Sequence, residues 1–283
     1  SLAQSTLQLS GFQSMDPDQL GDALAGKDVN IGFSINEPYF AVAGSGDPKQ
    51  AELIFQLIYT FLKDPGFRPQ ALALAKAQYR QMYDALKSTP DGIMRIEGNR
   101  FLAKGDPRFG LLPPEKIDRI TLENVQTWLK PKFENAPIEV SVVGDFDPAI
   151  IAQYATTYLG ALETRIRPDE SGKSPHEVFF PKGETLRLTL DTKINKGMVR
   201  TAFLTDDFWD ITKTRKLSLL AKVFSERLRK TIREELGASY SPYVYNNPSL
   251  VYDGYGVMHA VVNVLPDTAD NVSRQMEKIA REL

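Results

Sequence analysis

The stretch GKDVNIGFSINEPYFAVAGSGDPKQAELIFQLIYTFL, residues 26–62, decides how this chain folds. Val29–Ile35 and Tyr39–Ser45 read as two strands flanking Asn36-Glu37-Pro38, which predicts a hairpin. Asp47-Pro48 then supplies an N-cap and a first helical position, and the run to Leu62 continues as a helix. The order is glycine, strand, turn, strand, Asp-capped helix. It recurs in GASYSPYVYNNPSLVYDGYGVMHAVVNVLPDTADNVSRQMEKIAREL, residues 237–283, which begins 211 residues after Gly26. Two such stretches predict an internal repeat of a whole α+β unit.

The text around them fits this scheme. A helix over 68–88 follows the Asp64-Pro65-Gly66 break, and Thr121 caps another over 121–133. IEVSVVGDFD (138–147) reads as a strand running into a turn, and a helix opens at Pro148. Residues 163–177, ETRIRPDESGKSPHE, lack apolar periodicity and read as a linker. Beyond it, TLRLTLDTK (185–193) and MVRTAFLTDD (198–207) read as strands, followed by a long helix from about Ile211 to Glu235. Leu217, Leu220, Phe224, Leu228 and Ile232 step by three or four along that helix and define its buried stripe. Strands follow over 240–246 and 255–265, and a last helix starts near Asp267. The expected fold class is α+β, with two homologous units over 1–165 and 178–283 joined by a linker at 166–177, each a mainly antiparallel sheet packed with helices. The chain opens in helix-like text, SLAQSTLQLSGF, and stops in the helical pattern MEKIAREL, so both units are expected to be incomplete pieces of a longer chain.

Composition narrows the function. A chain of 283 residues with 42% hydrophobic and 25% charged residues matches ordinary globular domains and is comfortable for two. Net charge is −2 and the pI near 5.8, so no basic footprint for nucleic acid or an anionic membrane exists. Apolar runs such as Ile54–Leu62 are far shorter than the roughly 20 residues that span a bilayer. The absence of cysteine removes disulfides, thiolate catalysis and cysteine-ligated metals. Of the two histidines, His176 lies in the linker, while His259 faces the same way as Val257 and Val261 and reads as a packed or edge residue of a strand. Neither has a partner at ligand spacing, and a catalytic zinc needs three protein ligands and an open position. AVAGSGDPKQAELIF lacks the third glycine of a dinucleotide loop and the Gly-Lys-Ser/Thr of a phosphate loop. GASYSP is not a nucleophile elbow. Glu234–Glu235 and Asp206–Asp207 are adjacent pairs that diverge in space. No catalytic residue and no metal ligand set is assigned in this chain.

Three groups of residues carry a resemblance. They are VVGDFDPAIIAQYATTYLGAL (142–162), SERLRKTIREELGASYS (225–241), and the series LSGF, LAGKDVNIGFSINEPYFAVAGSG and IFQLIYTFLKDPGF within 9–67. In that order, along nearly the whole chain, they resemble the insulinase/pitrilysin family of zinc metallopeptidases, the inverzincins. The resemblance implies a clamshell of two halves, each of two homologous α+β domains, with the zinc motif H-x-x-E-H in the first domain. The later half would form the opposing wall of a peptide chamber. The motif's metal-site positions would fall just before LQLSGF, on Leu2, Ser5 and Thr6, none of which can ligate zinc or act as general base. The chain therefore resembles a non-catalytic copy, parts of a third and a fourth domain. Zinc is expected in the N-terminal half, which would be a partner of this segment together with the peptide substrate; nucleic acid and membrane insertion are not.

The same resemblance gives TIREELGASYSP, residues 231–242, a role. Arg233 lies in the last turn of the long helix, Gly237 supplies a left-handed exit, and Tyr240 re-emerges at the start of a strand. The residues alone fit an arginine satisfying helix C-terminal carbonyls and a tyrosine half-buried on a strand. The family uses an arginine and a tyrosine about seven apart at this corner to hold substrate, so the resemblance implies substrate binding by Arg233 and Tyr240, with Tyr243 and Tyr245 as neighbouring alternatives. A guanidinium fork binds carbonyls or a carboxylate, and a phenol donates to a developing oxyanion. The family also holds peptide as an added strand, which demands little of side chains. The expected function is the zinc-free C-terminal portion of a zinc metalloendopeptidase, inactive by itself. The alternatives are a structural or assembly subunit of the same fold, like respiratory-complex core proteins, and a peptide-binding module acting alone. The compartment is left open, with the bacterial periplasm favoured.

Overall fold

The structure, a computed structural model, describes residues 1–165, 177–192, 195–235 and 242–283, with the backbone alone of 233–235. The chain divides into two compact units, Ser1–Gln81 with Pro113–Gly172, and Met82–Leu112 with Lys173–Leu283. The expected linker at 166–177 falls, apart from Glu177, outside the described residues.

The first unit is built on the hairpin read above. Strands β1 (Val29–Ile35) and β2 (Phe40–Gly46) pair antiparallel, with Phe33 opposite Val42. Helix α1 (Leu2–Gln8) lies against β1, and α2 (Pro17–Leu24) begins with a capping box between Asp16 and Gln19. Asp47 accepts from the Lys49 amide at 2.8 Å and starts a 3₁₀ turn, Pro48–Gln50, that leads into α3 (Ala51–Lys63). Helix α4 (Pro69–Lys87) follows. The core forms where the hairpin, α3 and a later helix α8 (Leu122–Asn135) meet: Phe33 lies 5.3 Å from Phe61 and 5.5 Å from Phe133, centroid to centroid. Such offset and edge-on aromatic pairs add to what their area contributes. Thr121 caps α8 through its side chain, as its position predicts. Helix α7 (Pro114–Asp118) precedes α8, and α9 (Pro148–Tyr154) runs into a π turn, Ala155–Leu159.

One loop shows why its glycines are there. Gly66 donates its amide to the Gly11 carbonyl at 3.1 Å, and a Cβ on Gly66 would sit 2.6 Å from that oxygen. Gly11 itself has φ +63°, a left-handed conformation that glycine adopts without cost. Arg68 holds the same loop, donating to the carbonyls of Ser10 at 2.9 Å and Phe12 at 2.7 Å.

In the second unit, α5 (Pro90–Ile93), a π turn (Met94–Gly98) and α6 (Asn99–Leu102) form one continuous helical run. Strand β3 (Gly197–Thr205), the long helix α10 (Ile211–Leu228) with its π turn Arg229–Glu235, β4 (Tyr243–Pro248), β5 (Gly256–Val264) and α11 (Ala269–Arg281) complete it. The sheet order is β3-β5-β4, antiparallel throughout. Met258, Ala260, Val262 and Val264 of β5 point into a core with Phe224 and Leu228 of α10, Ile232 of the π turn that follows it, and Val272, Met276 and Ile279 of α11. The opposite face of β5 is also buried, with Val257 against Leu102, Tyr252 and Tyr255. A central strand buried on both faces reads as the near-continuous apolar run it is.

Two expectations fail. Residues 138–143 and 185–192 read as strands but form no ladder among the described residues. Val143 is 95% exposed, so this run has strand propensity without a neighbour to pair with. Segment 184–187 is held by side chains instead, with Lys104 to Glu184 at 2.6 Å and Arg187 to Asp270 at 2.7 Å. The buried stripe of α10 also shifts by one residue: Ala221 is buried and Leu220 is exposed. Steps of four, three, four and four from Leu217 pass through Ala221, and the size of leucine misled the pattern. Among the described residues no helix is long and apolar enough to cross a membrane.

Candidate functional site

Leu2, Ser5 and Thr6, the positions where the resemblance would put a zinc motif, lie on α1. Leu2 and Thr6 are buried, the Thr6 hydroxyl donates to the Leu2 carbonyl at 2.9 Å, and the Ser5 hydroxyl to the Ser1 carbonyl at 3.4 Å. These groups do not fit zinc, which takes imidazole, thiolate or carboxylate ligands. Among the described residues no cluster of three or more histidine, aspartate or glutamate side chains exists that could hold a metal ion. What α1 does instead is close a strand edge. Gln8 Nε2 donates to the Phe33 carbonyl at 2.9 Å, and Gln4 Oε1 accepts from the Ile35 amide at 3.3 Å. Two side chains one helical turn apart thus satisfy alternate outward-facing backbone groups of β1.

The second place is the corner after α10. Ile232, fully buried, anchors the end of this helix, and Arg233 belongs to its π turn. The Arg233 side chain and Tyr240 lie outside the described residues. On the near side of the corner, Ser225 holds β4 to α10. Its hydroxyl accepts from the Val244 amide at 2.7 Å and donates to the Val244 carbonyl at 3.4 Å. The entry and exit of the corner are therefore fixed by packing and by a paired hydrogen bond.

The neighbouring tyrosines occupy the outer face of the β3-β5-β4 sheet. Register places Tyr243 and Arg200 on either side of Val261, and Tyr245 and Ala202 on either side of His259. Tyr243 stacks on Tyr245 at 6.0 Å, and Tyr245 on His259 at 4.7 Å. The tyrosines are 44% and 42% exposed, whereas His259 is 5% exposed and its Nδ1 is buried without a partner. Burial, and then the nearby Arg200 charge, push the His259 imidazole down to about 3, so it is neutral at physiological pH. Burial is the larger influence on Tyr243 too, raising its phenol together with Asp91, while Arg200 opposes the rise. Arg200 Nη1 donates to Asn99 Oδ1 at 3.0 Å; Nη2 is buried and has no hydrogen-bond partner. His259 is thus the packed residue its pattern predicts. Arg200 was missed, although an arginine in the alternate series of Met198, Ala202 and Leu204 breaks that series' apolar character and was a readable signal.

Residues 119–283 match the family model described as "Peptidase M16 inactive domain". A curated relative, the chloroplastic stromal processing peptidase of Pisum sativum, is 25% identical over 238 residues, covering 66% of this chain and 18% of the relative. Among solved structures, the periplasmic protease PqqL from Escherichia coli superposes with a TM-score of 0.78 at 17% identity, over 99% of this chain and 31% of that one. A mutant of the ferredoxin protease FusC in complex with Arabidopsis ferredoxin gives 0.77 at 16% identity, over 99% and 31%. A peptidase M16 inactive domain from Pseudomonas fluorescens gives 0.77 at 17% identity, over 99% of this chain and 68% of that one. The chain spans less than a third of the first two structures and less than a fifth of the curated relative.

Proposed function

Because the chain belongs to the M16 peptidase family, matched through its inactive domain, we propose that it is the zinc-free C-terminal portion of a zinc-dependent endopeptidase. The observation that carries this reading is α1: where the family's metal motif would lie, Leu2, Ser5 and Thr6 turn their groups into the helix itself and its core. A helix built that way packs but does not hydrolyse. The remaining half of the parent then supplies the metal site, and this portion forms the wall of the peptide chamber. The names of the structural neighbours, two of them proteases over about three times this chain's length, support an assignment to peptide handling.

In this reading Arg233 and Tyr240 grip the substrate. The guanidinium takes a peptide carbonyl or carboxylate, and the phenol donates to charge that develops on the scissile carbonyl. The well-anchored flanks of the corner support this role, since preorganised donors stabilise a transition state without reorganising. The test is Tyr240→Phe in the full parent enzyme. Loss of such a donor lowers kcat by about 10²–10³ with the fold intact. Turnover within a factor of two of the wild type would refute the role, and an upstream sequence without H-x-x-E-H would instead favour a structural subunit.

A further inference from the structure

The outer face of the β3-β5-β4 sheet holds a cation, Arg200, that no carboxylate among the described residues neutralises. Arg200 sits mid-strand at the level of Tyr243 and Val261, and among the described residues its guanidinium hydrogen-bonds to the neutral amide of Asn99, at 3.0 Å. Nη2 is buried and unpartnered, and among the described residues no carboxylate pairs with this guanidinium. Its position depends on a missing side chain: a Cβ on Gly98 would stand 3.0 Å from Nη2 and 2.9 Å from Met94 Sδ. A guanidinium carries five donors and stays charged under all ordinary conditions. Leaving one partly buried, without an anion, is costly unless a ligand supplies the counter-charge.

The groups beside it are suited to receive one. Tyr243 and Tyr245 are half-exposed and held in a parallel stack on His259, so their rings are positioned before any ligand arrives. His259 is uncharged and adds no second cation to the face. Among the described residues the carboxylate whose charge acts on Tyr243 is that of Asp91, an exposed residue that forms no ion pair with Arg200.

We infer that Arg200, Tyr243 and Tyr245 form a carboxylate-binding site on this sheet face, taking the terminal or side-chain carboxylate of a bound peptide. Aromatic rings bear the apolar part of such a ligand, the phenols donate to it, and the guanidinium balances its charge. The inference deepens the peptide-handling role proposed above and rests on it for the ligand class alone.

The test titrates this chain with three fluorescently labelled unstructured peptides: one with a free C-terminus and no acidic side chain, its C-terminal amide, and the amide carrying one internal glutamate. Binding of the first with at least tenfold loss on amidation identifies a terminal carboxylate; recovery with the glutamate peptide identifies a side-chain one. Arg200→Gln and Tyr243→Phe should each abolish the preference, and Gly98→Ala, which displaces Nη2, should weaken it several-fold. Circular dichroism and a urea melt show which variants remain folded, and Tyr243→Phe, at a half-exposed position, keeps the test decisive if Arg200→Gln unfolds. Equal binding of all three peptides, no binding of any, or a preference unchanged in Tyr243→Phe overturns the inference. Such a failure leaves the proposed peptidase role intact, because that role is tested by turnover of the parent enzyme and not by this equilibrium.

Discussion

His259 shows how much one buried side chain can govern. Its imidazole titrates near 6.5 in an unfolded chain and is pushed down to about 3 in the folded one. Between those values the unfolded state binds a proton that the native state refuses. The stability contributed by keeping this ring neutral is therefore complete above pH 6.5 and is lost progressively as the pH falls towards 3, with a slope approaching about 1.4 kcal/mol per pH unit. Urea melts at pH 7, 6, 5 and 4 should show His259→Phe losing less stability than the wild type over that range, by about one proton's linkage. Parallel curves would mean that the folded ring takes up its proton at the same pH as the unfolded one. The histidine's burial was readable from VMHAVVNV, because alternation puts it beside Val257 and Val261. Its depressed affinity was not, since the second cause is Arg200, 59 positions away in sequence and brought to a diagonal position on the neighbouring strand only by the β3–β5 register. Arg233 and Tyr240 show the reverse: their sequence spacing and family resemblance carry the argument, and the described residues add only the fixed frame around them.

Elements were legible where local pattern and packing agree. The hairpin of β1 and β2 forms within one residue of its expected bounds, and α10 with its π turn covers the run expected from Ile211 to Glu235. The segments at 138–143 and 185–192 fail because a ladder is a property of two strands, and one strand's alternation says nothing about its partner. Edges are settled by side chains that no pattern announces. Ser225 is such a case: its hydroxyl satisfies both outward backbone groups of Val244. Ser225→Ala leaves the buried amide unpaired and should cost about 1–3 kcal/mol, with faster hydrogen exchange at Val244. An exchange rate unchanged from wild type would show that water replaces the hydroxyl. On α1, Gln4 and Gln8 do the same for β1. Replacing both by alanine should speed exchange at the Ile35 amide and make the chain associate at high concentration through the uncovered edge, which sedimentation would detect. A chain that stays monomeric with a protected Ile35 would show that α1 covers the edge by bulk alone.

At the scale of the whole molecule, the sequence division and the packing division answer different questions. Text alone splits the chain at a linker between two repeated units, a statement about descent that stays a proposal. The compact units instead place residues 82–112 with the second sheet, where Leu102, Phe101 and Phe109 pack against Tyr252, Tyr255 and Val257. A helical pattern reveals that a face is buried but not which sheet buries it, so this assignment lay beyond sequence reasoning. The metal question belongs to the same scale. A ligand that binds only the folded state stabilises it by about 2.7 kcal/mol at a hundred times its Kd, so a resident zinc site would be plain in thermal melts. This chain, with Leu2, Ser5 and Thr6 along α1, should show no shift in Tm on adding or chelating zinc, and no cleavage of unstructured peptides. The full parent should lose its peptidase activity on chelation while the C-terminal portion keeps its own melting transition. A zinc-dependent rise of several degrees in the isolated chain would place a metal site among these residues and remove the ground for treating this portion as a wall.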